Sequence, residues 1–242
     1  ATGSADGRIR IYEAVDVMNL AQWPLQATLS AFSSEGDLSP QHNTPPPLGV
    51  TCLSWCTGRF EPPTLIVGGS HLAIYRYSDA SRQWQSLLTL TSPGTSSANI
   101  LDVAWAPNVG RRYHLIASVD DHQLKVFKLA RNTVTAASTS TASNSTSNRK
   151  STTTTATTTT KPEYQLELES SQVLQDASSE KGDNDNDDTP PPQQVWRCQW
   201  NVTGTVLASS GDGGRVQLWK SDFEGTWKCV SQMYGDLTPT MT

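Results

Sequence analysis

The chain repeats one pattern of residues, and this repeat constrains its fold more than any other feature. ATGSADGRIRIY (1–12) aligns without gaps on ASSGDGGRVQLW (208–219). In both segments a run of small residues leads into a glycine-containing turn, and an alternating apolar and polar stretch then ends in an aromatic residue. Shorter versions occupy 117–127 and 67–75. A chain built from such units is expected to form a repeat architecture.

The spacing of the repeat indicates β-propeller blades. Three of the units follow another apolar stretch that ends in tryptophan, at Trp55, Trp105 and Trp200. The first interval is 50 residues; the second is 95, and leaving out the 49 residues of 131–162 and 177–193 reduces it to 46. Repeats of roughly 40–45 residues with four short strands are typical of propeller blades. We therefore predict a partial β-propeller over 1–242, with about four blades, the first incomplete.

The rest of the pattern supports an all-β chain. Short runs rich in Val, Ile, Leu and aromatic residues are bounded by turn residues, and the best candidate for a helix is the short connection 14–23. Weaker strands at 25–30, 84–90, 164–169 and 226–232 are expected at the outer edges of the blades. The other predicted strands are 50–55, 64–70, 71–77, 100–105, 114–119, 123–129, 195–200, 205–210 and 215–220.

Three segments fall outside this pattern. We predict a flexible loop at 31–48, a disordered Thr/Ser-rich insert at 131–162 and an acidic, proline-rich loop at 177–193. Between residues 131 and 160, 19 of 30 residues are Thr or Ser, and none is aromatic. Such sequences bury too little apolar surface to offset the entropy lost on ordering.

Composition excludes several classes of protein. The net charge of −5 argues against direct binding to nucleic acid, which favours clustered Lys and Arg. No apolar run approaches the ~18 residues of a membrane-spanning helix, so we predict no integral membrane segment. Four scattered cysteines are too few for a disulfide framework, and reduced thiols in an intracellular protein are the simpler interpretation.

Candidate metal and cofactor sites are weak. Asp183, Asp185 and Asp187 resemble the start of an EF-hand loop, but the position of its turn glycine is Asp188 and that of its final glutamate is Gln194. Cys52 and Cys56 lack a second pair of ligands at zinc spacing. We therefore predict no metal and no cofactor.

Catalytic machinery is not evident either. The four histidines lie in a loop or at strand ends, away from any nucleophile motif, and no helix follows 211–214 to hold a phosphate. We predict no catalytic residue and no enzymatic activity. The histidines are His42, His71, His114 and His122.

The tryptophans are expected to be mainly structural. Trp55, Trp105, Trp200 and Trp219 occupy equivalent strand ends, which favours burial between sheets. Trp84 and Trp227 fall on outer strands, where partial exposure is expected.

The first residues indicate that the chain begins inside a β-hairpin, since Asp6-Gly7 is a typical tight-turn dipeptide. We therefore expect an N-terminally truncated fragment. Its first and last blades are expected to leave apolar sheet faces uncovered.

Particular segments resemble a known family. RIYEAVDVMNLAQW (10–23), AWAPNVGRRYHLIA (104–117) and the stretch 195–229 are similar to the WD-repeat family that includes the nucleoporin Seh-one and the COPII coat subunit Sec-thirteen. The DVMNL sequence is not a general feature of WD repeats. The chain departs from the usual pattern at Gly213, where a turn aspartate is expected, and lacks the Gly-His and Trp-Asp dipeptides.

This resemblance implies a non-catalytic scaffold. Its members resemble open six-bladed propellers that a partner completes with a donated blade. The partners implied are a helical nucleoporin of the Y-shaped nuclear-pore complex and subunits of a GATOR-type nutrient-sensing complex upstream of TORC. The locations implied are the nuclear envelope and the cytoplasmic face of the lysosome, with a role in protein and mRNA transport. A COPII-type coat subunit and a peptide-binding WD-repeat adaptor are the alternatives.

Overall fold

Four antiparallel sheets make up the structure. The computed structural model describes residues 1–16, 18, 20–32, 49–58, 62–90, 99–133, 164–175 and 194–235. The first sheet contains β1 (Thr2–Gly3), β2 (Arg8–Tyr12) and β3 (Leu25–Ser30). The second contains β4 (Cys52–Trp55), β5 (Thr64–Gly68), β6 (Leu72–Ser78) and β7 (Gln83–Leu90).

The third and fourth sheets follow the same plan. The third contains β8 (Ile100–Trp105), β9 (Tyr113–Asp120), β10 (Gln123–Thr133) and β11 (Tyr164–Leu174). The fourth contains β12 (Val195–Trp200), β13 (Val206–Gly211), β14 (Arg215–Ser221) and β15 (Trp227–Tyr234). Every strand pairs antiparallel with the next one in its sheet, so each sheet is a meander of the kind that forms a propeller blade.

The sheets stack with their first strands side by side. The Thr51 hydroxyl, just before β4, donates to the Ile100 carbonyl oxygen of β8 at 2.5 Å. The Cys198 amide of β12 donates to the Asp102 carboxylate of β8 at 2.9 Å. There is little room between these strands: a Cβ added at Gly68 would lie 2.6 Å from the Ile100 methyl carbon Cγ2. The blades therefore converge along β1, β4, β8 and β12.

The hydrophobic core lies between the sheets in three clusters. One joins the first and second sheets, the next joins the second and third, and the last joins the third and fourth. Their most buried members include Ile9 and Leu65, then Ile66 and Ile116, then Ala117 and Leu207. This arrangement confirms the predicted all-β propeller fold.

The best candidate for a helix, 14–23, is not helical in the residues described there. The Glu13 amide donates to the Pro24 carbonyl oxygen at 3.3 Å and closes an irregular loop between β2 and β3. Inside it, the Met18 amide donates to the Asp16 carboxylate at 2.9 Å, and this local bond competes with a helical one.

The structure bears differently on the three segments predicted to be loops or inserts. Ala31 is buried and Phe32 packs against the same cluster, so the start of 31–48 belongs to the core, while 33–48 lies outside the described residues. Strand β10 continues to Thr133, which corrects the predicted start of the insert at residue 131. The rest of that insert, 134–162, and all of 177–193 lie outside the described residues.

The insert between β10 and β11 is expected to be dispensable for folding. Thr133 at the end of β10 pairs with Tyr164 at the start of β11. The two residues that flank the segment 134–163 are therefore adjacent in the sheet. Replacing 134–163 by a four-residue Gly-Ser turn should leave the melting temperature within a few degrees, because closure entropy changes slowly with loop length. Loss of soluble, cooperatively melting protein would contradict this expectation.

The repeat-equivalent tryptophans pack between sheets, but one prediction for the outer strands is wrong. Trp105, Trp200 and Trp219 are buried, whereas Trp55 and Trp84 are half-buried. Trp227 on the outer strand β15 is only 8% exposed. It is covered because β11 of the neighbouring sheet extends far enough to meet it.

The Trp200 side chain is expected to be among the most important for stability. Its indole N–H donates to the Ala104 carbonyl oxygen at 3.0 Å, and its ring packs edge-on against Trp227 at 5.3 Å. Trp200→Ala should cost about 3–5 kcal/mol of unfolding free energy, and Trp84→Ala clearly less. Denaturant melts of the two variants should separate them; equal losses would contradict the assigned difference in burial.

Candidate functional site

The surface of the fourth sheet that faces away from the third sheet is not covered by other described residues. Trp200, Trp219 and Trp227 point from this sheet towards the third. Residues directly opposite in an antiparallel pair share a face, so the register assigns a second set of side chains to the other surface. We call this set the terminal face: Val206, Ala208, Val216, Leu218 and Met233.

The apolar side chains of the terminal face share that surface with Lys220, Lys228, Ser210 and Ser231, and other described residues do not cover them. Leu218 pairs with Ala208 and Ser231, and Val216 pairs with Ser210 and Met233, so neighbouring rows place apolar side chains of β13, β14 and β15 next to one another. Met233 is 51% exposed, and the other four are half-buried. A row of this kind on a sheet is typical of a surface that packs against another sheet.

The outward surface of the first sheet is different. Ile9 and Ile11 point towards the second sheet, and the register places Arg8, Arg10 and Thr28 on the opposite face. Arg8 and Arg10 both lie within 4.0 Å of the Asp6 carboxylate. The expectation that both end surfaces are apolar is therefore wrong for this sheet, because strand alternation places its charged residues outward.

The most buried histidine has a structural role. His114 is 1% exposed, and the Trp105 indole N–H donates to its Nδ1 at 3.4 Å, which requires an unprotonated nitrogen there. Burial, reinforced by the positive charges of Arg131, Arg76 and Arg111, lowers the pKa of His114 to about 4. The imidazole is therefore neutral at physiological pH and serves as a hydrogen-bond acceptor in the core.

The depressed pKa of His114 should make stability depend on pH. The pKa of His114 is 6.5 in the unfolded chain and about 4 in the folded protein. As pH falls, the unfolded chain therefore binds a proton at this histidine before the folded protein does, which favours unfolding. The contribution of the neutral imidazole is therefore complete above pH 6.5 and is lost progressively towards pH 4. The loss is on the order of 3 kcal/mol.

Denaturant melts at pH 7.5 and pH 5 test this prediction. His114→Gln, which keeps an acceptor but does not titrate, should show a smaller decrease in unfolding free energy between the two pH values. An unchanged pH dependence in the variant would contradict the assigned role.

The other candidate residues do not form a reactive cluster. His71 packs edge-on against Phe32 at 4.5 Å, and burial lowers its pKa. His122 lies in the β9–β10 turn at φ 65° and packs edge-on against Trp196 at 4.3 Å. His42 and Asp183, Asp185 and Asp187 lie outside the described residues.

The cysteines behave as structural thiols. Cys198 is buried, Cys52, Cys56 and Cys229 are half-buried, and none of the four forms a disulfide bond. Burial raises the pKa of Cys52 to about 11 and that of Cys198 well above its usual value. Thiols that stay protonated are poor nucleophiles and poor metal ligands. Within the described ranges, no group of three or more His, Cys, Asp or Glu is placed to hold a metal ion.

Two surface features escaped the sequence analysis. The β2–β3 loop exposes several large apolar side chains, with Met18 at 93% and Val15 at 72%. A cleft of about 310 Å³ opens between the third and fourth sheets, and Arg111, Tyr113 and Lys128 line it. Neither could be found from strand patterns, because the first is a loop and the second joins residues far apart in sequence.

Membrane insertion by a helix finds no support in the described part of the chain. No helix there is both long enough and apolar enough to cross a bilayer.

The sequence is similar to those of known WD-repeat proteins. The model of the WD domain, G-beta repeat, matches residues 189–220, which contain β12, β13 and most of β14. Residues 189–220 therefore contain a WD repeat, which agrees with the propeller fold. The chain is similar to nucleoporin SEH1-B of Xenopus laevis, with 34% identity over 250 residues.

Other relatives show the same similarity to this WD-repeat chain. Nucleoporin SEH1 of Homo sapiens is 31% identical over 253 residues, and that of Danio rerio is 32% identical over 251 residues. The alignments include 98–99% of this chain but only 53–54% of each relative. The chain thus spans about half the length of the curated relatives it matches.

Proposed function

We propose that this chain is part of a non-catalytic scaffold subunit of the nuclear pore, in the Y-shaped complex. The observation that supports this most is the similarity to nucleoporin SEH1 along 99% of the chain. The raised pKa values of the Cys52 and Cys198 thiols and the neutral, buried His114 imidazole suit a structural role, and these groups are not activated nucleophiles.

The terminal face is the proposed point of assembly. A helical nucleoporin that carries a few extended strands covers it with a donated blade and thereby completes an open six-bladed propeller. Covering Val206, Val216, Leu218 and Met233 removes apolar surface from water at roughly 25 cal/mol per Å². Main-chain hydrogen bonds at a free strand edge then fix the register of the donated blade.

The same surface serves the wider roles that we propose for the protein. A rigid propeller that docks through one sheet face can join a second assembly, here a GATOR-type complex at the lysosomal surface, with the same contact. At the nuclear envelope it supports passage of protein and mRNA through the pore indirectly, as part of the framework. A COPII-type coat would use the same mode of assembly with a different partner.

A peptide-binding adaptor is the second candidate, and one aromatic pair favours it. Trp196 lies on the first strand of its sheet, is 43% exposed and donates its indole N–H to Asp212 at 2.7 Å. Together with His122 it offers an exposed aromatic surface near the line where the blades converge. Adaptors of this architecture would bind a peptide there and leave the terminal face unused.

A pair of matched substitutions tests the scaffold role. Leu218→Glu places a charge in the middle of the terminal face, whereas Val202→Glu places one on the β12–β13 turn, where Val202 is 88% exposed. In cells that express the full-length protein, Leu218→Glu should reduce recovery of Y-complex nucleoporins by at least tenfold, and Val202→Glu should leave it unchanged. The melting temperatures of both variants control for misfolding.

The two candidate functions predict opposite results. Trp196→Ala should leave recovery of the nucleoporins intact under the scaffold role. If Leu218→Glu has no effect on recovery and Trp196→Ala abolishes partner binding, the adaptor is the correct assignment.

A further inference from the structure

The cleft between the third and fourth sheets brings cationic side chains together. Arg111 precedes β9, and Lys128 lies in the middle of β10 on the surface that faces the fourth sheet. Both pack against one aromatic ring: the Arg111 guanidinium carbon is 5.8 Å, and the Lys128 ammonium nitrogen 4.8 Å, from the centroid of Tyr113. Two like charges are therefore held over the same wall of the cleft.

The acidic groups near the cleft are already engaged. Asp222, which also lines it, accepts hydrogen bonds from the Glu224 and Thr226 amides and pairs with Lys228 at 2.8 Å. Glu169 offsets one of the two charges, since it lies 2.8 Å from the Lys128 ammonium group.

Lys220 borders the cleft from β14, but its pairing with Val206 directs its side chain to the terminal face. Arg111 is not within ion-pair distance of a carboxylate among the described residues. With Lys128 offset by Glu169, the cleft carries one uncompensated positive charge, on Arg111.

Arg111 is also held rigidly and partly stripped of water. Its guanidinium donates to the Gly204 carbonyl oxygen at 2.6 Å and to the Pro107 carbonyl oxygen at 2.7 Å. Its Nε is buried and has no hydrogen-bond partner among the described residues. Gly204 allows this close approach because its φ is 65° and a Cβ there would overlap the Pro107 oxygen. Burying a guanidinium without a counter-ion is costly unless an anion joins it.

We propose that this cleft binds a phosphate monoester group. At neutral pH such a group carries a charge of about −1.5 to −2, so it can pair with the Arg111 guanidinium and the Lys128 ammonium together, which a single carboxylate does less well. The planar guanidinium fork suits phosphate oxygens, and the Lys128 ammonium adds a point charge.

The floor of the cleft indicates that the phosphate is attached to an organic group. Leu115, Val126 and Trp227 are each less than 9% exposed and line the cleft below the charged side chains. A volume of about 310 Å³ exceeds what a phosphate ion alone fills. The site thus fits a phosphorylated side chain of a bound protein or a small phosphorylated metabolite.

Calorimetric titration of the full-length protein at low salt tests the proposal. The probes are inorganic phosphate, phenyl phosphate, benzoate and a pentapeptide that contains phosphoserine. Phenyl phosphate should bind at least tenfold more tightly than benzoate, which has one charge, and more tightly than inorganic phosphate, which cannot use the apolar floor. Tighter binding of the peptide than of phenyl phosphate identifies a protein side chain as the source, and the reverse order identifies a metabolite.

Matched variants locate the binding. Lys128→Gln should weaken phenyl phosphate binding at least fivefold, and Arg111→Lys should weaken it while keeping the charge, because the fork is lost. Arg82→Gln, an exposed arginine in the β6–β7 turn, should bind within twofold of the unmodified protein. Arg111→Lys could also disturb the loops at Gly204 and Pro107, whose carbonyl oxygens accept hydrogen bonds from Arg111. Lys128→Gln makes no such change to the backbone, so its effect on binding tests the site by itself.

Two outcomes would overturn the proposal. One is the absence of phenyl phosphate binding at millimolar concentration; the other is equal loss in Lys128→Gln and Arg82→Gln, which would indicate unspecific attraction. Both outcomes concern the cleft alone. The scaffold role depends on the terminal face and is tested independently by Leu218→Glu.

Discussion

Burial on both faces of a sheet is the constraint on which the structure depends. In β5, Leu65 and Val67 point into the cluster shared with the first sheet, and Ile66 between them points into the cluster shared with the third. All three are fully buried. Because a single sheet cannot cover both of its own faces, each blade needs a neighbour on either side, and stacking around a common line is the solution.

Polar groups reinforce this stacking where apolar packing ends. Gln172 on β11 accepts a hydrogen bond from the Trp227 amide at 3.0 Å and reaches the Trp227 carbonyl oxygen at 3.4 Å. The side-chain amide thus takes the place of a peptide group between two outer strands. Such contacts align neighbouring blades at their rims, as the bond from Cys198 to Asp102 does near their centre.

Much of the fold could be predicted because the signal is local. The alternation in 195–200 and the small residues of 208–210 are visible in the sequence, and the strands start and end within a few residues of the predicted positions. Burial of Trp227 was missed, since its cover is Gln172 and Trp200 from distant parts of the chain.

The sites on the surface of the blades were harder to find. The terminal face follows from register, which alternation alone does not fix. The cleft joins Arg111 to Gly204 across 93 residues, and no motif marks either residue. The sequence motif DVMNL indicated the family resemblance. The positions of the cleft side chains could not be predicted, because these side chains come together only when two blades pack.

The division of the core into three inter-sheet clusters has a mechanical consequence. Each cluster is shared by only two sheets, so the chain behaves as a one-dimensional array of units coupled to their nearest neighbours. Among the described residues, the third sheet takes part in two such couplings and the fourth sheet in one. A protein that covers the terminal face therefore adds a second coupling of the kind that the second and third sheets already have.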